Sequence, residues 1–96
     1  MTDLEQAHAS GIAPWDLKID DLCNFHVTVF QDRFPVAVGH LLFVPNYNTS
    51  VTIGDAFEAA LLYGNKMVAA GKFNAFNVGI NMGSAAGQTV MYPHVH

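Results

Sequence analysis

The sequence predicts an α+β fold: an antiparallel sheet of about five strands with one main helix packed on it. Three observations carry that expectation. Short runs rich in β-branched and aromatic residues recur along the chain. One long stretch, Thr52 to Gly71, has helical spacing of its apolar residues. The strand-like runs are joined by short connections, which favour antiparallel pairing, and 96 residues leave room for one domain.

Residues 1–14 are polar or small and end in Gly11-Ile12-Ala13-Pro14, a short irregular or helical lead-in ahead of a domain over 15–96. Trp15, Leu17 and Ile19 alternate with Asp16, Lys18 and Asp20, which predicts an edge strand, with Asp21 to Asn24 as its turn. Phe25 to Phe30 reads as a strand, and Gln31-Asp32-Arg33-Phe34-Pro35 breaks it. Val38 to Val44 is the next strand, stopped by Pro45 and a polar stretch. Thr52 and Asp55 have capping-box spacing, so the helix is expected to start there. Phe57, Leu61, Gly64, Met67 and Val68 continue it, and Gly71 is placed to cap its end. Asn74 to Asn81 predicts another strand, Met82 to Gly87 a small-residue loop, and Gln88 to His96 a final extended segment.

Composition narrows the function classes. The chain is 51% hydrophobic and 12% charged, against roughly 25% charged in an average soluble domain. A chain this short buries only about 60% of its unfolded surface. So few charges leave apolar surface for a partner subunit, and a homodimer is expected. The formal net charge is −4, and Lys18, Arg33, Lys66 and Lys72 are scattered, which excludes a basic track for a nucleic-acid polymer. Cys23 is the only cysteine and has no internal disulfide partner; between Leu22 and Asn24 it reads as a small buried hydrophobe. The acidic Met1-Thr2-Asp3-Leu4-Glu5 is no signal peptide, and no run approaches the ~20 apolar residues of a membrane span. A cytoplasmic, reducing setting without membrane contact is the expectation.

The sharpest chemical signal is Tyr92-Pro93-His94-Val95-His96. In an extended strand, side chains two apart share a face about 7 Å apart. Tyr92, His94 and His96 are therefore expected on one face, with Met91, Pro93 and Val95 turned to the core. An exposed strand face that merely carries histidines is the plainer alternative. Upstream, Gly83 to Thr89 offers backbone N–H groups and two hydroxyls, from which a turn can build an anion-binding concavity; a Gly-containing hairpin connection is the plainer account. Asp32 follows one strand and His40 opens another; singly they read as a turn residue and a half-buried histidine.

Together these residues resemble the signature of the histidine triad (HIT) superfamily. Gly87-Gln88-Thr89-Val90-Met91-Tyr92-Pro93-His94-Val95-His96 is similar to that family's Gly-Gln-Ser/Thr-Val followed by alternating histidines. Phe30-Gln31-Asp32 with Pro35, His40-Leu41-Leu42-Phe43-Val44-Pro45 and Asn81-Met82-Gly83-Ser84 fit in order, so the resemblance spans residues 15 to 96.

The resemblance implies a hydrolase acting on nucleoside phosphate bonds, in a phosphoramidate or a dinucleoside polyphosphate, through a covalent nucleotidyl-histidine. It implies His94 as nucleophile and His96 as a phosphate and leaving-group contact. Gln88, Thr89 and Asn81 would meet phosphoryl or leaving-group atoms, Asp32 the ribose hydroxyls and Phe30 the base; His40 and Tyr92 would be supporting residues. It implies a purine nucleotide or dinucleotide substrate, a homodimer, and no cofactor or metal.

Two departures stand out. Tyr92 replaces the first triad histidine, and Pro93 removes a ladder N–H. The second departure is length: the sequence stops at His96, where family members continue, so further residues are expected beyond it. Two other functions compete: a nucleotide-binding protein with weak or no turnover, and a metal-binding β-protein using His94 and His96 with His26 or His40.

Overall fold

A computed structural model describes residues 1–32 and 40–96. The predicted strand residues Val38 and Gly39, and the break at Arg33-Phe34-Pro35, lie outside the described residues. The elements are helix α1 (Asp3–Ala9), strand β1 (Val27–Gln31), strand β2 (Leu41–Pro45) and helix α2 (Ser50–Ala69), with 3-10 turns at Asp20–Leu22 and Ser84–Ala86.

β1 and β2 pair antiparallel, with Val29 opposite Phe43 and Gln31 opposite Leu41. Three further segments lie alongside through single bridges: Lys18 to Phe30, Val95 to Phe43, and Ile80 to Val95. Of the expected five strands, the described residues show two as a ladder, and the other three segments touch it only through isolated bridges. Local chemistry explains the shortfall in the segment Gln88–His96. The Gln88 side-chain amide occupies the carbonyls of Val90 and Met91, the His94 ring occupies that of Tyr92, and Pro93 has no N–H to give. Pairing is left to Val95, which exchanges bonds of 2.8 and 2.9 Å with Phe43, and to His96, which exchanges two of 2.8 Å with Gly79.

The two faces of the pleat are covered by different helices. Val27, Val29, Phe43 and Val95 pack against Ala56 and Ala60 of α2. Phe30, Leu42, Val44 and Tyr92 pack against Leu4 and Ala7 of α1 and against Ala13. Each fully buried valine contributes about 1.5–3 kcal/mol of transfer free energy. The lead-in is therefore part of the core rather than a loose end. A Thr2–Glu5 capping box starts α1, and Asp3 accepts the Asn48 N–H at 2.8 Å while the Leu4 N–H donates to the Asn46 carbonyl at 3.0 Å.

Helix α2 starts three residues earlier than expected. Thr49, not Thr52, is the N-cap; Thr52 is its reciprocal partner, and the buried Thr52 hydroxyl also donates to the Tyr47 carbonyl. The small residues Ala56 and Ala60 let the helix lie close on the sheet, and Gly64 leaves room for the Phe76 ring. Gly71 follows the helix end at φ +74°, as its predicted capping role requires. β1 starts at Val27 rather than Phe25, because the Asn24 carboxamide takes the N–H groups of His26 and Val27 and leaves Phe25 exposed.

Candidate active site

Val95 is fully buried and tied to β2 through both backbone groups, which fixes the segment carrying His94 against the sheet. His94 is half-buried, and its Nδ1 lies 2.9 Å from the Tyr92 carbonyl oxygen. A carbonyl only accepts, so Nδ1 carries the proton. In the neutral ring Nε2 then keeps its lone pair. The Trp15 indole packs against the imidazole, with centroids 4.9 Å apart at 61°.

His94 stands at the wall of a cleft of about 400 Å³, which Trp15, Asp32, Leu42, Thr89 and Val90 also line. Beside it runs a row of histidines. His96 lies 6.5 Å from His94 and 5.9 Å from His40 between ring centroids. His40 Nδ1 is 3.3 Å from Asp32 Oδ2, with both side chains about four-fifths buried; that contact is electrostatic, because among the described residues the nitrogen has no aligned hydrogen-bond acceptor. His96 Nε2 lies 2.6 Å from Asn81 Oδ1. Partial burial and the neighbouring His40 and His94 push the His96 pKa below the ordinary histidine value, with Asp32 opposing.

The loop before the histidines is fixed by glycines and one amide. Gly83 and Gly87 both have φ +91° and bracket the turn at Ser84–Ala86. Gln88 is buried; its Oε1 accepts the Gly83 N–H at 2.7 Å and its Nε2 donates to the carbonyls of Val90 and Met91 at 2.9 and 3.0 Å. Asn81 donates to the Ala86 carbonyl, joining the loop to the segment beside His96.

The structure thus gathers His94, His96, His40, Asp32, Asn81 and Thr89 around one end of the sheet. Three expected residues are placed otherwise. Phe30 is buried beneath Trp15, at 5.9 Å between ring centroids, so the aromatic wall of the cleft is Trp15. The Gln88 side chain is spent inside its loop. Tyr92 turns into the core under α1, where its hydroxyl donates to the Pro45 carbonyl at 2.6 Å, and burial, then Asp3, push its pKa up to about 12. Met91, expected in the core, is exposed instead, whereas Pro93 and Val95 are buried. The polar stripe is therefore His94 and His96 alone.

Sequence reasoning missed Trp15, Leu42 and Val90 as cleft residues. The signal available was a lone tryptophan after Pro14 in a charge-alternating segment, which strand periodicity alone explained. His26 lies away from this site, against Asn24, Asp55 and Glu58. Among the described residues no group of three His, Cys, Asp or Glu is placed to hold a metal ion. No helix among them is long and apolar enough to cross a membrane.

Comparison with known proteins matches residues 22–96 to the HIT domain. An uncharacterized 16.1 kDa HIT-like protein of Mycoplasma pneumoniae is 34% identical over 80 residues, covering 76% of this chain and 56% of that protein. Adenylylsulfatase HINT3 of Arabidopsis thaliana is 32% identical over 84 residues, 80% of this chain and 41% of its own length. The chain spans about half the length of the curated relatives it matches. The crystal structure of SMU.412c from Streptococcus mutans superposes with a TM-score of 0.72 at 25% identity, over 100% of this chain and 64% of that one. A HIT family hydrolase from Legionella pneumophila shares the fold, with a TM-score of 0.65 at 22% identity over 97% of this chain and 88% of its own.

Proposed function

The chain belongs to the HIT domain family, and from that premise we propose that it hydrolyses nucleoside phosphate bonds, in a phosphoramidate or a dinucleoside polyphosphate, through a nucleotidyl-His94 intermediate. The single observation that carries this reading is the Nδ1 contact of His94 with the Tyr92 carbonyl, which leaves a lone pair on Nε2 beside a nucleoside-sized cleft.

In the first step His94 Nε2 bonds to phosphorus as the bond from phosphorus to the leaving nitrogen or oxygen breaks. The leaving group keeps that electron pair and takes a proton. In the second step a water oxygen attacks phosphorus, the N–P bond breaks back to His94, and the nucleoside monophosphate departs as water loses a proton. Splitting one displacement into two lowers each barrier. His96, its Nε2–H held on Asn81 Oδ1, gives the leaving group its proton from the imidazolium form and, once neutral, takes the proton that water loses. Thr89 and the loop N–H groups take phosphoryl oxygens, Asp32 accepts from the ribose, and Trp15 faces the base. A site of histidines, hydroxyls and amides handles one phosphate without Lys or Arg. A purine nucleotide as substrate, a homodimer and a cytoplasmic setting belong to the same proposal.

The test is turnover of adenosine 5′-phosphoramidate and of a diadenosine polyphosphate by the parent and by His94→Ala. The parent turns over at least one substrate and forms an acid-labile adenylyl adduct, and His94→Ala does neither. Full activity in His94→Ala, or none in the parent, overturns the reading.

One observation favours a second reading, a nucleotide binder with weak or no turnover. Tyr92 stands where the family signature has a histidine, and its hydroxyl is committed to the Pro45 carbonyl in the core. Tight nucleotide binding by calorimetry with no adduct on His94 would select this reading over the first.

A further inference from the structure

Trp15 precedes residues 22–96, the part of the chain that matches the HIT domain, yet its ring is the one packed on His94. The 4.9 Å separation of Trp15 and His94 is the shortest between ring pairs among the described residues. The indole is itself held from behind: Phe30 lies 5.9 Å away at 36°, and Tyr92 lies 6.5 Å away at 75°. Phe30 and Tyr92 are both buried in the cluster that α1 closes. Trp15 is thus a half-buried wedge, fixed by the core on one side and touching the imidazole on the other.

The His94 ring has two soft degrees of freedom. Rotation about its terminal torsion is broad and nearly two-fold, so packing has to select one orientation. Exchange between neutral tautomers moves the proton from one ring nitrogen to the other. The Tyr92 carbonyl restrains the ring at one atom, Nδ1. A single hydrogen bond acts as a pivot, about which the ring still swings. A large rigid surface against the ring restricts that swing by packing, and within the narrowed range the Nδ1 contact, which a ring turned over would lose, selects the orientation.

We propose that Trp15 is a positioning residue for His94, holding the imidazole in the orientation that keeps Nδ1 on the Tyr92 carbonyl and Nε2 at the cleft. This rests on His94 being the nucleophile, but the geometric claim is read without substrate. The segment ahead of the HIT-matched residues thereby completes the site: α1 closes the core, the core fixes Trp15, and Trp15 fixes the nucleophile.

Nitrogen-15 NMR of the histidine side chains in the parent, Trp15→Phe and Trp15→Ala reads the tautomer directly. The parent and Trp15→Phe hold His94 as the Nδ1–H form, and Trp15→Ala shows a mixture of both. With an active parent, kcat in Trp15→Ala falls by about tenfold to a hundredfold, the scale for a misplaced reacting group, and Trp15→Phe restores it. An unchanged tautomer and kcat in Trp15→Ala, with only KM raised, make Trp15 a wall of the cleft and overturn the proposal.

A second measurement needs no Trp15 variant. Trp15 is the only tryptophan, so its fluorescence titrates with the ring it touches. Protonation of His94 quenches it, and His94→Gln abolishes that transition, which separates it from His96, His40, Asp16 and Asp32 nearby. A titration unchanged in His94→Gln refutes the contact. If the parent lacks turnover, the proposed hydrolase fails while these two readouts still decide the role of Trp15.

Discussion

His96 Nε2 meets Asn81 Oδ1 at 2.6 Å, and the other end of the Asn81 amide donates to the Ala86 carbonyl. The Ala86 contact fixes which Asn81 atom faces the histidine, because a carbonyl accepts only an N–H. The oxygen facing His96 in turn requires its proton on Nε2. One amide therefore sets the tautomer of His96 and ties the loop between Gly83 and Gly87 to it.

The pH dependence follows from the lowered His96 pKa. The folded chain holds this proton less tightly than the unfolded chain, whose histidine titrates near 6.5. The His96 contribution to stability is thus complete above about pH 6.5 and is lost as pH falls through the folded value. Urea midpoints measured between neutral and mildly acidic pH should decline on acidification, and His96→Gln should reduce the slope. Asn81→Asp should raise the His96 pKa in an NMR titration, since a carboxylate stabilises the imidazolium.

Gln88→Ala removes three loop contacts at once and leaves the Gly83 N–H and two carbonyls without their partner. We expect a loss of roughly 1–3 kcal/mol by denaturant unfolding. Hydrogen exchange should accelerate at Gly83, and activity should fall because Thr89 loses its support. Parent-like exchange in Gln88→Ala would remove the loop-fixing role.

Tyr92→Phe keeps the ring in the core and deletes only the bond to the buried Pro45 carbonyl. The cost should be about 1–2 kcal/mol, seen as a Tm about 4–8 °C lower for each kcal/mol. Since the backbone carbonyl of Tyr92 is untouched, the His94 tautomer should be unchanged. A shifted tautomer would show that the phenol also steers the His94 ring.

Dimerisation is tested on α2. Leu61 is 51% exposed, while Phe57 of the same helix is half-buried against the core. Light scattering at micromolar concentration should give twice the monomer mass, and Leu61→Glu should shift it toward the monomer. A monomeric parent would rule the dimer out.

The central pair of strands and the main helix were legible because local periodicity decides them. Val27, Val29, Phe43 and Ala56 alternate or recur as their elements require. Two errors of boundary, Phe25 and Thr52, came from side chains that cap the backbone from neighbouring positions, Asn24 and Thr49. The reduction of the expected five strands to a two-stranded ladder was not legible, since it depended on which carbonyls Gln88 and His94 take from the sheet.

By itself the sequence determined the alternation of core and solvent positions, the scarcity of cations, and the Gly-Gln-Thr-Val…His-Val-His motif that brings histidines to one strand end. Those properties are carried by neighbours along the chain. Tertiary structure alone decided that Tyr92 enters the core, that Gln88 is consumed within its loop, and that Trp15 reaches His94 from well over seventy residues away in sequence. It also decided which imidazole nitrogen of His94 holds the proton against the Tyr92 carbonyl. Such outcomes depend on which buried donor finds which acceptor once the layers close, and a periodic pattern does not encode that match.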